Sequence, residues 1–269
     1  MFSTLRVTSR CNLECLHCYS ADSGCKKELT THELKSAIDI LVDNGVDHIT
    51  ISGGEPFLRS DIFEILKYSS LKTKTGIVCN GTLIDKSAAK ALSEIDISRL
   101  MISVDGIGAV HDKMRGKNTY TRTEKGIFNS IDQGIPLGVS TTLTGLNCNH
   151  IIEIYDFLKK NNISRWIIEK LKPVGRARNS NICMSAKEDD EVMELLSLLK
   201  AEDKNMDISI YDCANNCSAG IKTISVNPNG DVTPCAFMPQ AVCGNVLTDS
   251  WNAITEKIGG LRLKGSTCF

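Results

Sequence analysis

The sequence predicts an α/β fold: a parallel sheet wound into an open, partial (βα)6 barrel of the TIM type, with a small C-terminal subdomain. Three observations predict it. Six apolar or β-branched runs alternate with six amphipathic stretches through residue 200, the pattern of strands joined by right-handed crossovers. The polar and cysteine-bearing segments fall just after the predicted strands, where such barrels gather their functional groups. After about residue 201 the alternation stops.

The predicted strands are 2–8, 48–52, 76–79, 100–104, 137–143 and 166–169. Between and after them lie predicted helices at 31–43, 61–69, 85–93, 121–132, 149–160 and 185–200. The first helix opens on Thr30-Thr31-His32-Glu33, in which Glu33 can reach back to the cap. Ile38, Leu41 and Val42 then fall on one face, and Gly45 stops the helix. Six units fall short of the eight that close a barrel. Residues 208–211 read as a short strand, 221–226 and 231–234 as a hairpin turned by Asn227-Pro228-Asn229-Gly230, and 250–261 as a last helix. About 60 residues with so little apolar material need a staple to hold a core. The division is therefore set at 1–203 for the barrel and 204–269 for the appended part.

Bulk properties exclude several classes. Lys and Arg number 31 against 32 Asp and Glu, so nothing in the net charge favours nucleic acid or an acidic membrane. No run approaches the roughly 18 apolar residues of a membrane span, and the N-terminus lacks the apolar core of a signal peptide. A cytoplasmic location is expected. Twelve cysteines in such a chain point to metal binding rather than a disulfide framework.

Cys11, Cys15 and Cys18 stand within eight residues as C-x3-C-x2-C, directly after the first strand. Three thiolates on one loop can hold three corners of an iron–sulfur cube, leaving one iron open for chemistry. His17, between the last two cysteines, is a candidate fourth ligand, which would make a closed zinc site instead. Gly53-Gly54-Glu55-Pro56 follows the second strand; it suits either close backbone approach to a ligand or an ordinary strand-to-helix turn. Asn80, Ser103 and Asp105 end the third and fourth strands, where polar ligand contacts and helix caps are both expected.

These segments together resemble the radical S-adenosylmethionine (SAM) superfamily. The resemblance is carried by the cysteine triad, Gly53-Gly54-Glu55-Pro56 and Ser103-Val104-Asp105-Gly106. It implies a [4Fe–4S] cluster on Cys11, Cys15 and Cys18, with SAM chelated to the open iron and cleaved to a 5′-deoxyadenosyl radical that abstracts hydrogen from substrate. It also implies that Gly53, Gly54 and Glu55 receive the SAM amino group, that His17 stacks on adenine, and that Asn80, Ser103 and Asp105 contact the ribose and carboxylate.

Cys217, twelve residues, Gly230, four residues, then Cys235 resembles the opening of SPASM or Twitch extensions, which bind auxiliary [4Fe–4S] clusters. One such cluster is implied, held by Cys213, Cys217, Cys235 and Cys268, with Cys243 the rival to Cys268; buried apolar cysteines are the alternative. Cys25 and Cys79 have no motif partners, and Cys79 reads as core. Cys148 and Cys183 fall near strand ends and are candidate hydrogen-atom donors. Arg176, in Lys172-Pro173-Val174-Gly175-Arg176, is either a bidentate partner of a substrate carboxylate or a solvated loop arginine.

Taken together, a radical SAM peptide maturase is expected, crosslinking, oxidising or epimerising a ribosomally synthesised peptide. A small-molecule enzyme acting on a tetrapyrrole side chain or an aminoglycoside is the alternative. An iron–sulfur electron-transfer protein that is no enzyme is the reading from another class. An electron donor such as flavodoxin or ferredoxin is an expected partner. The chain opens directly on its first strand, so if the substrate is a peptide, either a separate leader-peptide-binding protein or the barrel itself is expected to recognise its leader.

Overall fold

A computed structural model describes residues 1–21, 27–212 and 217–263. Its strands are β1 (Phe2–Arg6), β2 (His48–Ser52), β3 (Lys74–Cys79), β4 (Arg99–Ser103), β5 (Leu137–Leu143), β6 (Arg165–Lys170), β7 (Asp207–Tyr211), β8 (Thr223–Val226), β9 (Asp231–Thr233) and β10 (Gly244–Asn245). All ten form one sheet in the order β10-β9-β8-β1-β2-β3-β4-β5-β6-β7. The eight strands from β8 to β7 run parallel; β9 and β10 add antiparallel at the far edge. The sheet is open, as an incomplete barrel requires.

Two strands extend the expected six. Residues 207–211 do not start a separate layer but lie parallel to β6, with Arg165 opposite Asp207. Residues 223–226 form the predicted hairpin with β9, and their other edge pairs parallel with β1, Phe2 opposite Thr223. Ile224, Val226, Val232, Val246, Ile254 and Ile258 join the same buried cluster as the barrel strands. β7, just past the division at 203/204, pairs with β6, and the extension's apolar residues share the barrel's buried cluster.

The helices are α1 (Thr31–Asp43), α2 (Ile62–Lys72), α3 (Lys86–Ser93), α4 (Ala109–Arg115), α5 (Thr119–Asp132), α6 (Ile151–Lys160), α7 (Ala186–Glu202) and α8 (Trp251–Leu263). α1 starts as its sequence requires. The Thr30 hydroxyl accepts from the Glu33 N–H, and the Glu33 carboxylate accepts from the Thr30 N–H. Its buried face is Leu34, Ala37, Ile38 and Leu41, each large side chain worth roughly 1.5–3 kcal/mol on burial. Gly45 turns the chain out with φ +83°. α4 was not expected; at seven residues between Gly108 and Gly116 it is too short to show a helical period.

Candidate active site

The cysteine loop leaves β1 and is fastened to the segment after β2. Gly54 donates its N–H to the Thr8 carbonyl at 2.7 Å, and Glu55 donates to the Arg10 carbonyl at 2.8 Å. A Cβ at Gly53 would stand 2.6 Å from the Thr8 oxygen, and one at Gly54 2.2 Å from the Arg10 oxygen. The close backbone approach that the glycines permit is therefore to the cysteine loop itself. Arg176 does the same from the other side. Its N–H donates to the Cys18 carbonyl at 3.0 Å and its guanidinium to the Cys15 carbonyl at 3.2 Å. A Cβ on Gly175, at φ +58°, would meet the Cys18 oxygen at 2.3 Å. Arg176, an exposed residue, thus clamps the cysteine loop through its backbone N–H and one guanidinium nitrogen.

Cys11 is exposed, Cys15 buried and Cys18 between the two. The Cys11 sulfur accepts from the Leu13 N–H at 3.4 Å, and the Cys18 sulfur lies 3.3 Å from the Ser20 hydroxyl. Burial pushes the Cys15 thiol up to about 11, against the pull of Arg115, whose Nη1 lies 4.0 Å from its sulfur. A metal that binds here must displace that proton. Among the described residues no three His, Cys, Asp or Glu side chains converge as a single metal ion needs. Three cysteine sulfurs on one loop are the donor type that iron–sulfur clusters take.

Glu55 is fully buried. Its two oxygens accept from the Phe57 N–H at 3.1 Å and the Asn80 N–H at 2.8 Å. Burial raises its carboxyl to about 7, although those two N–H bonds oppose the shift. Asn80 in turn donates to the Asn12 side chain at 2.9 Å and accepts from the Thr82 N–H and hydroxyl. The ends of β2 and β3 are thereby knitted to the cysteine loop. Ser103 lies at the end of β4 and accepts from the Ser140 hydroxyl at 3.3 Å.

Asp105 has no solvent exposure. Burial would raise its carboxyl, but Arg115 and His17 outweigh that and hold it at about 2. One oxygen accepts from Arg115 Nε and lies 3.3 Å from His17 Nε2; the other accepts from the Thr142 N–H at 2.8 Å. His17 Nε2 is also 3.3 Å from Arg115 Nη2, while Nδ1 is buried without a partner among the described residues. Burial drops this imidazole to about 4, so it is neutral, though Asp105 pulls the other way. Its Nε2 edge is thus turned to Asp105 and Arg115. Sequence reasoning missed Arg115, His111 and Asn147. His111 Nδ1 accepts the Asp105 N–H, and Asn147 donates to the Asp105 carbonyl at 2.9 Å. Arg115 follows Lys113 and Met114 on an unforeseen helix, where it reads like any surface charge.

In the extension Cys217 is exposed and Cys235 partly buried, its sulfur accepting from the Phe237 N–H at 3.4 Å. Gly230 takes φ +91° in the hairpin turn. The Phe237 ring packs on Tyr19, centroids 4.7 Å apart, so the loop after Cys235 touches the loop after Cys18. Cys243 belongs to the hydrophobic core, its thiol 3.5 Å from the Ala241 carbonyl. Cys25, Cys213 and Cys268 lie outside the described residues. Cys148 and Cys79 are in the core, and Cys183 is exposed. No helix among the described residues is long and apolar enough to cross a membrane.

The family model of the radical SAM superfamily matches residues 5–158, and that of the SPASM iron–sulfur cluster-binding domain matches residues 217–262. The chain is 33% identical over 232 residues to Fe-coproporphyrin III synthase of Methanosarcina barkeri, covering 82% of this chain and 58% of that protein. It is 31% identical over 264 residues to AlbA, the antilisterial bacteriocin subtilosin biosynthesis protein of Bacillus subtilis, covering 94% of this chain and 59% of that one. The chain therefore spans under six-tenths of either relative. Among solved structures, Streptococcus suis SuiB bound to its precursor peptide SuiA superposes with a TM-score of 0.85 at 20% identity, over 97% of this chain and 66% of that one. SuiB bound to S-adenosylmethionine superposes at 0.78, also at 20% identity, over 99% and 66%.

Proposed function

The chain belongs to the radical SAM superfamily and carries an SPASM extension, and on that premise we propose that it abstracts hydrogen from a ribosomally synthesised peptide to crosslink, oxidise or epimerise it. A SAM-binding [4Fe–4S] cluster, SAM and an auxiliary cluster come with that family. Bound together, cluster and SAM supply the reductive cleavage that yields a 5′-deoxyadenosyl radical. The observation that carries the reading is the thiol triad on a loop pinned from both sides, by Gly53-Gly54-Glu55 and by Gly175-Arg176.

The remaining roles belong to the chain's own residues. Cys11, Cys15 and Cys18 would each hold one iron. Gly53 and Gly54 would turn their carbonyls to the SAM ammonium, with Glu55 fixing the segment through its bonds to Phe57 and Asn80. Ser103 and Asn80 line the adjoining strand ends. Asp105, wholly engaged with protein, acts as a positioning residue through Arg115 and His17. Cys217 and Cys235, with Cys213 and Cys268, would hold the auxiliary cluster. The core placement of Cys243 favours Cys268 over it as the last ligand.

The likeness to AlbA over most of the chain supports a peptide substrate. The likeness to Fe-coproporphyrin III synthase favours a second reading, a tetrapyrrole-type small molecule. Flavodoxin or ferredoxin would supply the electron.

Anaerobically reconstituted, dithionite-reduced protein incubated with SAM is expected to release 5′-deoxyadenosine, and Cys15→Ala to release none. Iron and sulfide are expected near eight each per chain, the content of two cubanes. An electron-transfer protein would hold the iron and leave SAM intact. Mass spectrometry of a co-expressed precursor peptide then separates the peptide from the small molecule.

A further inference from the structure

The geometry points to Arg6 as the anchor for a carboxylate of the substrate, held between the cysteine loop and the C-terminal extension. The inference rests on the enzymatic reading above and deepens it.

Arg6 ends β1, between Leu5 and Val7, both of which face the hydrophobic core. Alternation along a strand turns Arg6 to the opposite face, the barrel interior. There it lies beside Ser52 of β2 and Asn227, the residue after β8. The side chain is fully buried. Of its nitrogens, Nη1 donates to the Asn227 side-chain oxygen at 3.1 Å, whereas Nε and Nη2 are buried with no partner among the described residues. No carboxylate among the described residues comes within 4.0 Å of it.

A guanidinium stays charged at any pH the protein meets, and it only donates. An unpaired buried charge is among the costliest features a fold can carry. The two orphaned nitrogens share one edge of the planar group. That edge presents two parallel N–H bonds, the fork that matches the two oxygens of a carboxylate. Asn227 fixes the opposite edge and so aims the fork. The Tyr19 ring lies 5.9 Å from the guanidinium carbon and packs on Phe237. Tyr19 follows Cys18 and Phe237 follows Cys235 by two, so this ring pair joins the cysteine loop to the loop after Cys235 beside the guanidinium.

Two kinds of substrate bring such a group: an acidic residue of a peptide, or a propionate of a tetrapyrrole. The test titrates full-length reconstituted protein, followed by ligand-observed NMR, with two matched pairs. One is N-acetylglutamate methylamide against N-acetylglutamine methylamide; the other is coproporphyrin III against its tetra-amide. At least one acid is expected to bind about tenfold or more tightly than its neutral counterpart. Arg6→Gln should erase that ratio, and Arg6→Lys should keep part of it. Preference within the first pair identifies a peptide carboxylate, and within the second a tetrapyrrole propionate. Ratios near one for both pairs in the wild type overturn the assignment, as does an undiminished ratio in Arg6→Gln. Should Arg6→Gln fail to fold, the wild-type ratio and Arg6→Lys decide. 5′-Deoxyadenosine release is read on the same wild-type preparation. Release with no acid preference sinks the Arg6 assignment alone, whereas no release sinks the enzymatic reading whatever the ratios.

Discussion

Asp105 keeps its charge out of water only because Arg115 and His17 sit against one of its oxygens. Breaking a buried pair costs about 3–5 kcal/mol, since the surviving charge is stranded. Arg115→Gln is expected to lower the denaturation free energy by that order, and adding Asp105→Asn to return part of the loss. A double mutant no better than Arg115→Gln would show that the pair does not act as a unit. Glu55 works in the opposite sense. Its folded carboxyl sits near 7, above an unfolded carboxyl near 4.5, so between those values the native state binds the extra proton. Stability falls as pH rises through that window, by up to about 3 kcal/mol. Urea midpoints at pH 5 and pH 7.5 check this, and Glu55→Gln should flatten the difference. The carboxylates themselves were legible, since both close predicted strands. Their partners were not: Arg115 stands ten residues beyond Asp105 in a charged stretch, and nothing local marks it as buried.

Among the elements, the turn after β2 is the most exacting. Gly54 has Arg10 carbonyl oxygen where a methyl would go, 2.2 Å away, and the neighbour is backbone that cannot step aside. Gly54→Ala is expected to push the cysteine loop off its seat. Iron retained after anaerobic reconstitution should drop well below wild type while the far-ultraviolet spectrum stays close to it. The sequence marked these glycines for a close approach, and the approach exists, but to the chain's own loop. Where a local rule suffices, the reading was sound: Thr30 and Glu33 cap α1 reciprocally, and Thr30→Ala should cost about 1 kcal/mol in a thermal melt. α4 escaped because seven residues between two glycines carry no period to read.

At the scale of the whole molecule, the βα alternation announced the barrel, but strand order across 221 positions is not a local pattern. That is why the pairing of the extension's β8 with β1, Phe2 opposite Thr223, could not be read from the sequence. A chain ended after residue 212 would bare the β1 edge and remove the Asn227 bond to Arg6. It is expected to aggregate in light scattering and to melt well below the intact chain. Unchanged, monomeric unfolding would mean that the extension is dispensable. The same pairing has a temporal side. On the ribosome, β1 emerges long before the residues that flank it, and closing so wide a loop is slow. The outer flank of the first strand must wait for synthesis of the far end, so iron delivered early would meet a cradle still missing one wall.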